Sequence, residues 1–388
     1  MKFSMTLCAI LFCLCLFGMA VTFWLLPKKE FSALEKRGLQ TLPRPDVATV
    51  LSGVWQEKLD AFYADQFPLR GELVGLKARA EICLGKGENN GILLGADGRL
   101  ARRRFDMLTP DGTLTGVDFP SAEQLAAACD GILRAQENLT VPFAVLLAGR
   151  NLDVCPSDFS YPTDFSDALQ AAVRTRLAGR VAAPDLISLF RASGENLTYR
   201  TAHHWTPAGA YVGYRAAMEA LGNGDAVLPA DAFRRETVSV SFRGTLWAAS
   251  GMRWVQPDSV EVWYRGNEAA FEVVADGAPL DGFYSLSRLS GTDHYALFLD
   301  GTHDVVTIRK TAGEGQQRPC LLVLRDSFGS SLAPFLAQHY DLVLLNLSSV
   351  RRDFTALSSL ADKYSADAVL LVYGMENLLT ASRLSRLR

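Results

Sequence analysis

Histidine is scarce in this chain and metal-type spacing is missing. There are five histidines in 388 residues, no CxxC pair and no Cys/His cluster, so nothing supplies a structural zinc with ligands. No motif for a cofactor or catalytic metal is present either. An excess of positive charge is also lacking. Lys and Arg together number 39 against 42 Asp and Glu, a formal net charge of -3, and a chain without a broad basic field gives no support to nucleic-acid binding. Internal repeats and low-complexity tracts are absent. Cysteine is unevenly spread, with Cys8, Cys13 and Cys15 in one apolar stretch and Cys83, Cys129, Cys155 and Cys320 elsewhere. The four outer thiols allow three pairings that spacing does not choose between. Cys320 opens a strongly apolar strand and reads as a buried thiol rather than a bridge.

Only one run is long and apolar enough to cross a bilayer, and it stands at the start, from Met5 to Leu26. It reads as an uncleaved anchor because the apolar stretch continues past the small residues Gly18-Met19-Ala20 through Val21, Phe23 and Trp24. Cleavage after a signal segment is the alternative, and would release the rest as a secreted protein. Lys2 precedes the run and Lys28-Lys29 follow it, so charge alone does not orient it. Residues 1–27 are therefore read as anchor or signal segment, 28–48 as a stalk punctuated by Pro27, Pro43 and Pro45, and 49–388 as the main domain.

Within that domain Val50–Ala64 has helical spacing, and Ile92–Leu94 followed by Asp97-Gly98 reads as a strand and tight turn. Glu123–Glu137 and Asp167–Leu177 read as helices. Phe143–Ala148 and Pro184–Ile187 read as short buried strands. Thr206-Pro207 is a hydroxyl cap with proline at the first helical position, predicting a helix to about Leu221-Gly222. From about 232 to 315 the texture turns to period-two alternation, as in Val238–Phe242, Val260–Tyr264, Phe271–Val274 and Val305–Ile308, a β-rich insertion. Strand and helix then alternate again: Leu321–Leu324, Ser331–Gln338, Leu342–Leu347, Phe354–Tyr364 and Ala368–Tyr373. The aromatics Phe242, Trp247, Trp254, Trp263 and Tyr264 are either core or the lining of a sugar groove.

Two segments carry chemistry. Thr201-Ala202-His203-His204-Trp205-Thr206 places two histidines before a helix start. Arg325-Asp326-Ser327-Phe328-Gly329-Ser330-Ser331 places a serine between an apolar strand and a helix, at the carboxyl edge of a sheet where amides are positioned to stabilise an oxyanion. Ser327 is either a nucleophile or a helix cap, and His204 either a general base or a structural hydrogen-bonder. In an extended segment residues i and i+2 share a side, so a carboxylate holding His204 belongs at position 202, which is Ala202. His203 faces the other way.

These motifs resemble the DHHW family of bacterial exported proteins, which is similar to the AlgX/AlgJ alginate O-acetyltransferases of the SGNH hydrolase superfamily. The family pattern is Asp-His-His-Trp-Thr where this chain has Ala202–Thr206, and Asp-Ser-Phe plus small residues at Asp326–Ser331. Ser32, Glu35, Arg37, Pro43, Asp65–Arg70 and Tyr199-Arg200 extend the likeness from about Phe31 onward. The resemblance implies an α/β fold, a three-layer SGNH-like parallel sheet in circularly permuted order, with Ser327 as nucleophile and His204 as base. It implies Asn377, in Gly374-Met375-Glu376-Asn377, as an oxyanion-hole candidate displaced by one residue from the usual spacing. Asp326 would order the turn, with Trp205 and His203 in support. Acyl transfer to a surface polysaccharide is the implied activity, with a multi-pass membrane-bound O-acyltransferase as partner and acetyl donor. Acetyl esterase activity, or a glycan-binding or assembly role without catalysis, are the alternatives. Three accounts of Ala202 stand open: Asp153, Asp158 or Asp185 replaces the carboxylate, the chain is a pseudoenzyme, or alanine was substituted for an original aspartate.

Overall fold

The computed structural model describes residues 2–103, 107–108, 114–115, 122–160, 164–311, 318–347, 356–375 and 377. Its contacts divide into two units, Met1–Asn90 with Trp247–Trp254, and Gly91–Leu246 with Val255–Arg388.

The first unit is helical. α1 (Lys2–Leu25) contains the apolar stretch Met5–Leu25, long and apolar enough to cross a membrane. The helix expected over Val50–Ala64 is two, α2 (Val47–Leu51) and α3 (Val54–Asp65), interrupted at Ser52-Gly53. α4 (Arg70–Cys83) follows. Phe23 near the end of α1 meets Phe62 and Tyr63 of α3 edge-on and tilted. Residues of the proposed stalk are tied to these helices: Arg37 donates to both oxygens of Asp65 at 3.0 and 2.6 Å, and Glu35 joins Arg37 to Arg70. The family-like residues Glu35, Arg37, Asp65 and Arg70, scattered in sequence, thus form one charge cluster.

The second unit is built on a seven-stranded sheet. Its strands in chain order are β1 (Phe143–Ala148), β2 (Phe271–Ala275), β3 (Ala278–Leu280), β4 (Val305–Lys310), β5 (Cys320–Arg325), β6 (Asp341–Asn346) and β7 (Ala368–Gly374). The spatial order is β3-β2-β4-β6-β5-β7-β1. β6, β5, β7 and β1 pair parallel, the core the near-continuous apolar runs predicted. The alternating strands β2, β3 and β4 come from the insertion and extend this core antiparallel, β4 pairing with β6. The whole sheet is therefore mixed, and part of the insertion is an edge of the main layer rather than a separate body. A second piece, Arg234–Phe242 with Asp258–Tyr264, forms its own two-stranded ribbon.

Strand residues sort onto two faces with period two, as the pleat requires. Leu321 and Val323 face a layer containing Pro207–Ala220 and Phe328–Leu336, whereas Leu322 and Leu324 face Ala122–Glu137, Asp164–Leu177 and Leu357–Lys363. This is a three-layer arrangement. The strand expected at Pro184–Ile187 is a correction: Leu186–Ser193 is a helix, because Asp185 accepts from Ser188 N and caps it, and the apolar residues Leu186, Ile187 and Phe190 then lie on one helical face. Asp97 and Gly98 both take positive φ in the expected turn between Ile92–Leu94 and Leu100–Arg102. Among the described residues all seven cysteines are free thiols, so none of the three pairings forms, and Cys320 is half-buried. Phe242 and Trp263 are 1% and 2% exposed, Trp247 is also buried, and Trp254 is partly so. The core reading, not the sugar-groove one, fits Phe242, Trp247 and Trp263.

Candidate active site

The histidine segment is a loop closed on itself and pinned from several sides. Thr198 and Trp205 bridge antiparallel, Tyr199 N donates to His204 O at 3.1 Å, and Thr206 N donates to Leu197 O at 2.8 Å. Thr206 then caps Pro207–Ala220 through Gly209 N, as the sequence signal predicts. Two buried polar side chains fix the turn itself. Asn151 donates to the carbonyls of Leu100, Tyr199 and Ala202 at 2.8, 2.9 and 3.3 Å. Asp258, 5% exposed, accepts from Arg200 N, Thr201 N and Thr201 Oγ1. Charge-assisted bonds of this kind are the strong ones, and a buried carboxylate that lost them would be costly.

The serine segment follows β5. Ser327 stands at the start of the helix Phe328–Leu336 in α conformation and makes no side-chain cap, so the capping alternative is not the role its hydroxyl plays. Instead Ser327 Oγ lies 2.6 Å from His204 Nε2, across 123 positions of sequence. Ser327 is half-buried and His204 is 8% exposed, so the hydroxyl is not sealed under hydrocarbon. Tyr295 stacks on the His204 ring at 3.8 Å and 6°. Its hydroxyl pairs with Ser331 Oγ at 2.9 Å and reaches Ser327 O at 3.4 Å, while Ser331 Oγ accepts from Trp205 Nε1 at 2.8 Å. Trp205 therefore ties the histidine loop to the serine helix from behind. Burial pushes the Tyr295 hydroxyl far above the ordinary phenol range, which keeps it a neutral donor.

Asp326 accepts from Phe328 N, Gly374 N and Asn377 Nδ2 at 3.0, 2.7 and 2.8 Å. It holds the turn together and joins the ends of β5 and β7. Burial raises its pKa, opposed by those three donors. Asn377 is thus brought to the serine turn, with its amide nitrogen on Asp326. His203 Nδ1 pairs with Thr245 Oγ1 at 2.8 Å, and its ring lies 3.9 Å from that of His204, so the two rings are side by side and the expectation that His203 faces the other way is corrected.

Ala202 is 1% exposed and packs with Tyr199, Phe242 and Tyr295. Gly244 lies hard against it. A Cβ built at position 244 would fall 2.3 Å from Ala202 Cβ and 2.5 Å from Thr201 O, so only glycine fits. The three substitute carboxylates are engaged elsewhere: Asp153 pairs with Arg150, Asp158 with Arg99, and Asp185 caps its helix and pairs with Arg174. Sequence reasoning missed Tyr295, Asn151 and Asp258. Among the described residues no group of three or more His, Cys, Asp or Glu is placed to hold a metal ion.

The mixed sheet with helices on both faces defines a three-layer α/β protein, and the serine-histidine pair lies where strand β5 gives way to a helix. Residues 172–346 match the family model described as DHHW protein, so the resemblance drawn from the motifs holds over that stretch. Among solved structures, this chain is similar to a DHHW family protein from Eubacterium siraeum, at 16% identity and a TM-score of 0.55, covering 76% of this chain and 97% of that one. It is also similar to PatB1 of Bacillus cereus with a sulfonyl adduct, at 18% identity and a TM-score of 0.60, covering 76% and 98%. The O-acetyltransferase domain of Pseudomonas putida AlgJ is similar at 17% identity and a TM-score of 0.44, over 75% and 93%. No curated protein matches the sequence.

Proposed function

We propose that this chain is a membrane-anchored, extracytoplasmic acyltransferase of the polysaccharide O-acetyltransferase type, with Ser327 as nucleophile and His204 as general base. The observation that carries this reading is the 2.6 Å approach of Ser327 Oγ to His204 Nε2 at a helix start. His204 Nε2 takes the serine proton as Oγ attacks an acetyl carbonyl, and the donor's leaving group departs with that proton. A sugar hydroxyl then attacks the acyl-serine, His204 takes its proton, and Ser327 Oγ recovers it. Amides at the start of Phe328–Leu336 and the Asn377 carboxamide are the candidates to stabilise the oxyanion. The sulfonyl adduct on PatB1 fits this reading, since sulfonyl reagents capture activated hydroxyls. The anchor is the apolar stretch Met5–Leu25. The acceptor is a surface polysaccharide, and a membrane-bound O-acyltransferase is the proposed acetyl source.

Ala202 favours a second reading, a glycan-binding or assembly subunit that keeps the fold with catalysis lost. In serine hydrolases, impairing the triad aspartate lowers turnover on the order of 10⁴-fold. The full chain in detergent is incubated with a chromogenic acetyl ester. Slow release that disappears in Ser327→Ala, and rises by about 10² or more in Ala202→Asp, is the expected result. Adding an oligosaccharide then separates transfer from hydrolysis by the mass of an acetylated product. Equal rates in the parent and Ser327→Ala, with no gain in a folded Ala202→Asp, leave the non-catalytic reading.

A further inference from the structure

The first unit holds a cavity of about 370 Å³ lined by Arg37, Arg70, Lys77, Arg253, Asn89 and the single carboxylate Glu35. Three of its four cations are already paired: Arg37 with Glu35 and Asp65, Arg70 with Glu35, and Lys77 with Glu81. Arg253 differs. Among the described residues no carboxylate lies within ion-pair distance of it, and its Nε and Nη2 are buried with nothing to accept from them. Its Nη1 reaches only the carbonyls of Leu34 and Trp247, both at 3.4 Å. Desolvation lowers its pKa, with Glu35 and Glu72 opposing from a distance.

The position is constructed rather than incidental. A Cβ at Gly75 of α4 would fall 2.9 Å from Arg253 Cγ, so the glycine admits the aliphatic stem, and the guanidinium lies 4.5 Å from the Trp247 ring. Asn89 Nδ2 binds Ser250 O at 2.6 Å and fixes the segment that presents Arg253. Nε and Nη2 form one edge of the guanidinium, a pair of parallel donors whose spacing matches two oxygens of an oxyanion. A buried group left this way calls for a partner. Arg253 lines the cavity, and both bonds at Nη1 are long, so the guanidinium has no strong partner of its own there.

We propose that the first unit carries an anion site centred on Arg253 that takes a phosphate group, with Lys77 and Arg70 completing the positive lining. Two sources share this chemistry. One is a phospholipid headgroup, since the same unit contains α1, and the other is free or sugar-linked phosphate. The proposal does not depend on acyl chemistry at Ser327.

The test uses the full chain in neutral detergent. Titration with inorganic phosphate, against chloride at equal ionic strength, should raise the melting temperature saturably. Arg253→Met should weaken the apparent affinity about 10-fold or more, as expected when a charge-assisted pair is lost. The same variant should melt higher than the parent in phosphate-free buffer, because it removes an uncompensated desolvated charge. Lys77→Gln, at an exposed side chain, provides a milder variant should Arg253→Met fail to fold, and should weaken phosphate several-fold. Short-chain phosphatidylglycerol that displaces phosphate assigns the site to lipid, and phosphate binding without lipid competition assigns it to a soluble ligand. Absence of any response to either probe, or an undiminished phosphate response in the folded variants, overturns the proposal.

Discussion

Tyr295 is the residue whose position bears most on how His204 works beside an alanine. A stacked phenol fixes the plane of the imidazole, and in the proposed mechanism the negative face of its π system would favour the protonated ring that forms as Ser327 gives up its proton. Its hydroxyl, anchored on Ser331, fixes the phenol in turn. In that mechanism Tyr295 is a positioning residue. In Tyr295→Leu, kcat should fall about tenfold with KM little changed, in the range attributed to part of an acid-base system. Tyr295→Phe, which keeps the ring, should retain most of the rate, and an unchanged kcat in Tyr295→Leu would remove this role. Ser327 and His204 were legible as residues because each sits in a motif at a strand-helix or loop-helix junction. Tyr295 was not, since stacking follows from a fold that joins distant loops and leaves no local pattern.

The loop Tyr199–Trp205 shows what the elements contribute. Its shape is imposed by Asn151 and Asp258, and by Gly244 packed against Ala202. Gly244→Ala places a methyl inside the contact distance of backbone atoms that have no room to move, so the expected cost is about 1–3 kcal/mol of stability. Ester turnover should fall with it, because His204 rides on the displaced loop. Denaturant unfolding and ester kinetics on one preparation check both, and a variant equal to the parent in each would mean the loop yields freely. The capping of Pro207–Ala220 was readable from Thr206-Pro207, a local rule that the structure obeys. Pro184–Ile187 misled because a short apolar run fits a strand or a buried helix turn equally well. Asp185 before it was the deciding signal.

At the scale of the whole molecule, the parallel core was visible as apolar runs of strand length. The docking of insertion strands onto its edge was not, since period-two alternation gives a strand but not its neighbour. Burial also leaves a titration in this layer. His339, paired with the Tyr214 hydroxyl at 2.7 Å, has its pKa lowered below 6.5 by burial and then by Arg318. The unfolded chain takes up that proton near pH 6.5 and the folded chain only below it. Stability associated with this group is therefore complete above about pH 6.5 and declines as pH falls through the folded value. His339→Gln should flatten the dependence of unfolding free energy between pH 7 and 5, and an unaltered slope would show that other groups set it.

The strand order has one more effect. His204 and Ser327 are separated by the whole excursion that supplies β2, β3 and β4, and β5 lies between β6 and β7, the last two strands to be made. A chain emerging from its amino end therefore holds both histidines long before it has Ser327. The pair can meet only once β5 has been made, so under the proposed mechanism reactivity toward esters would report a chain built through its serine strand.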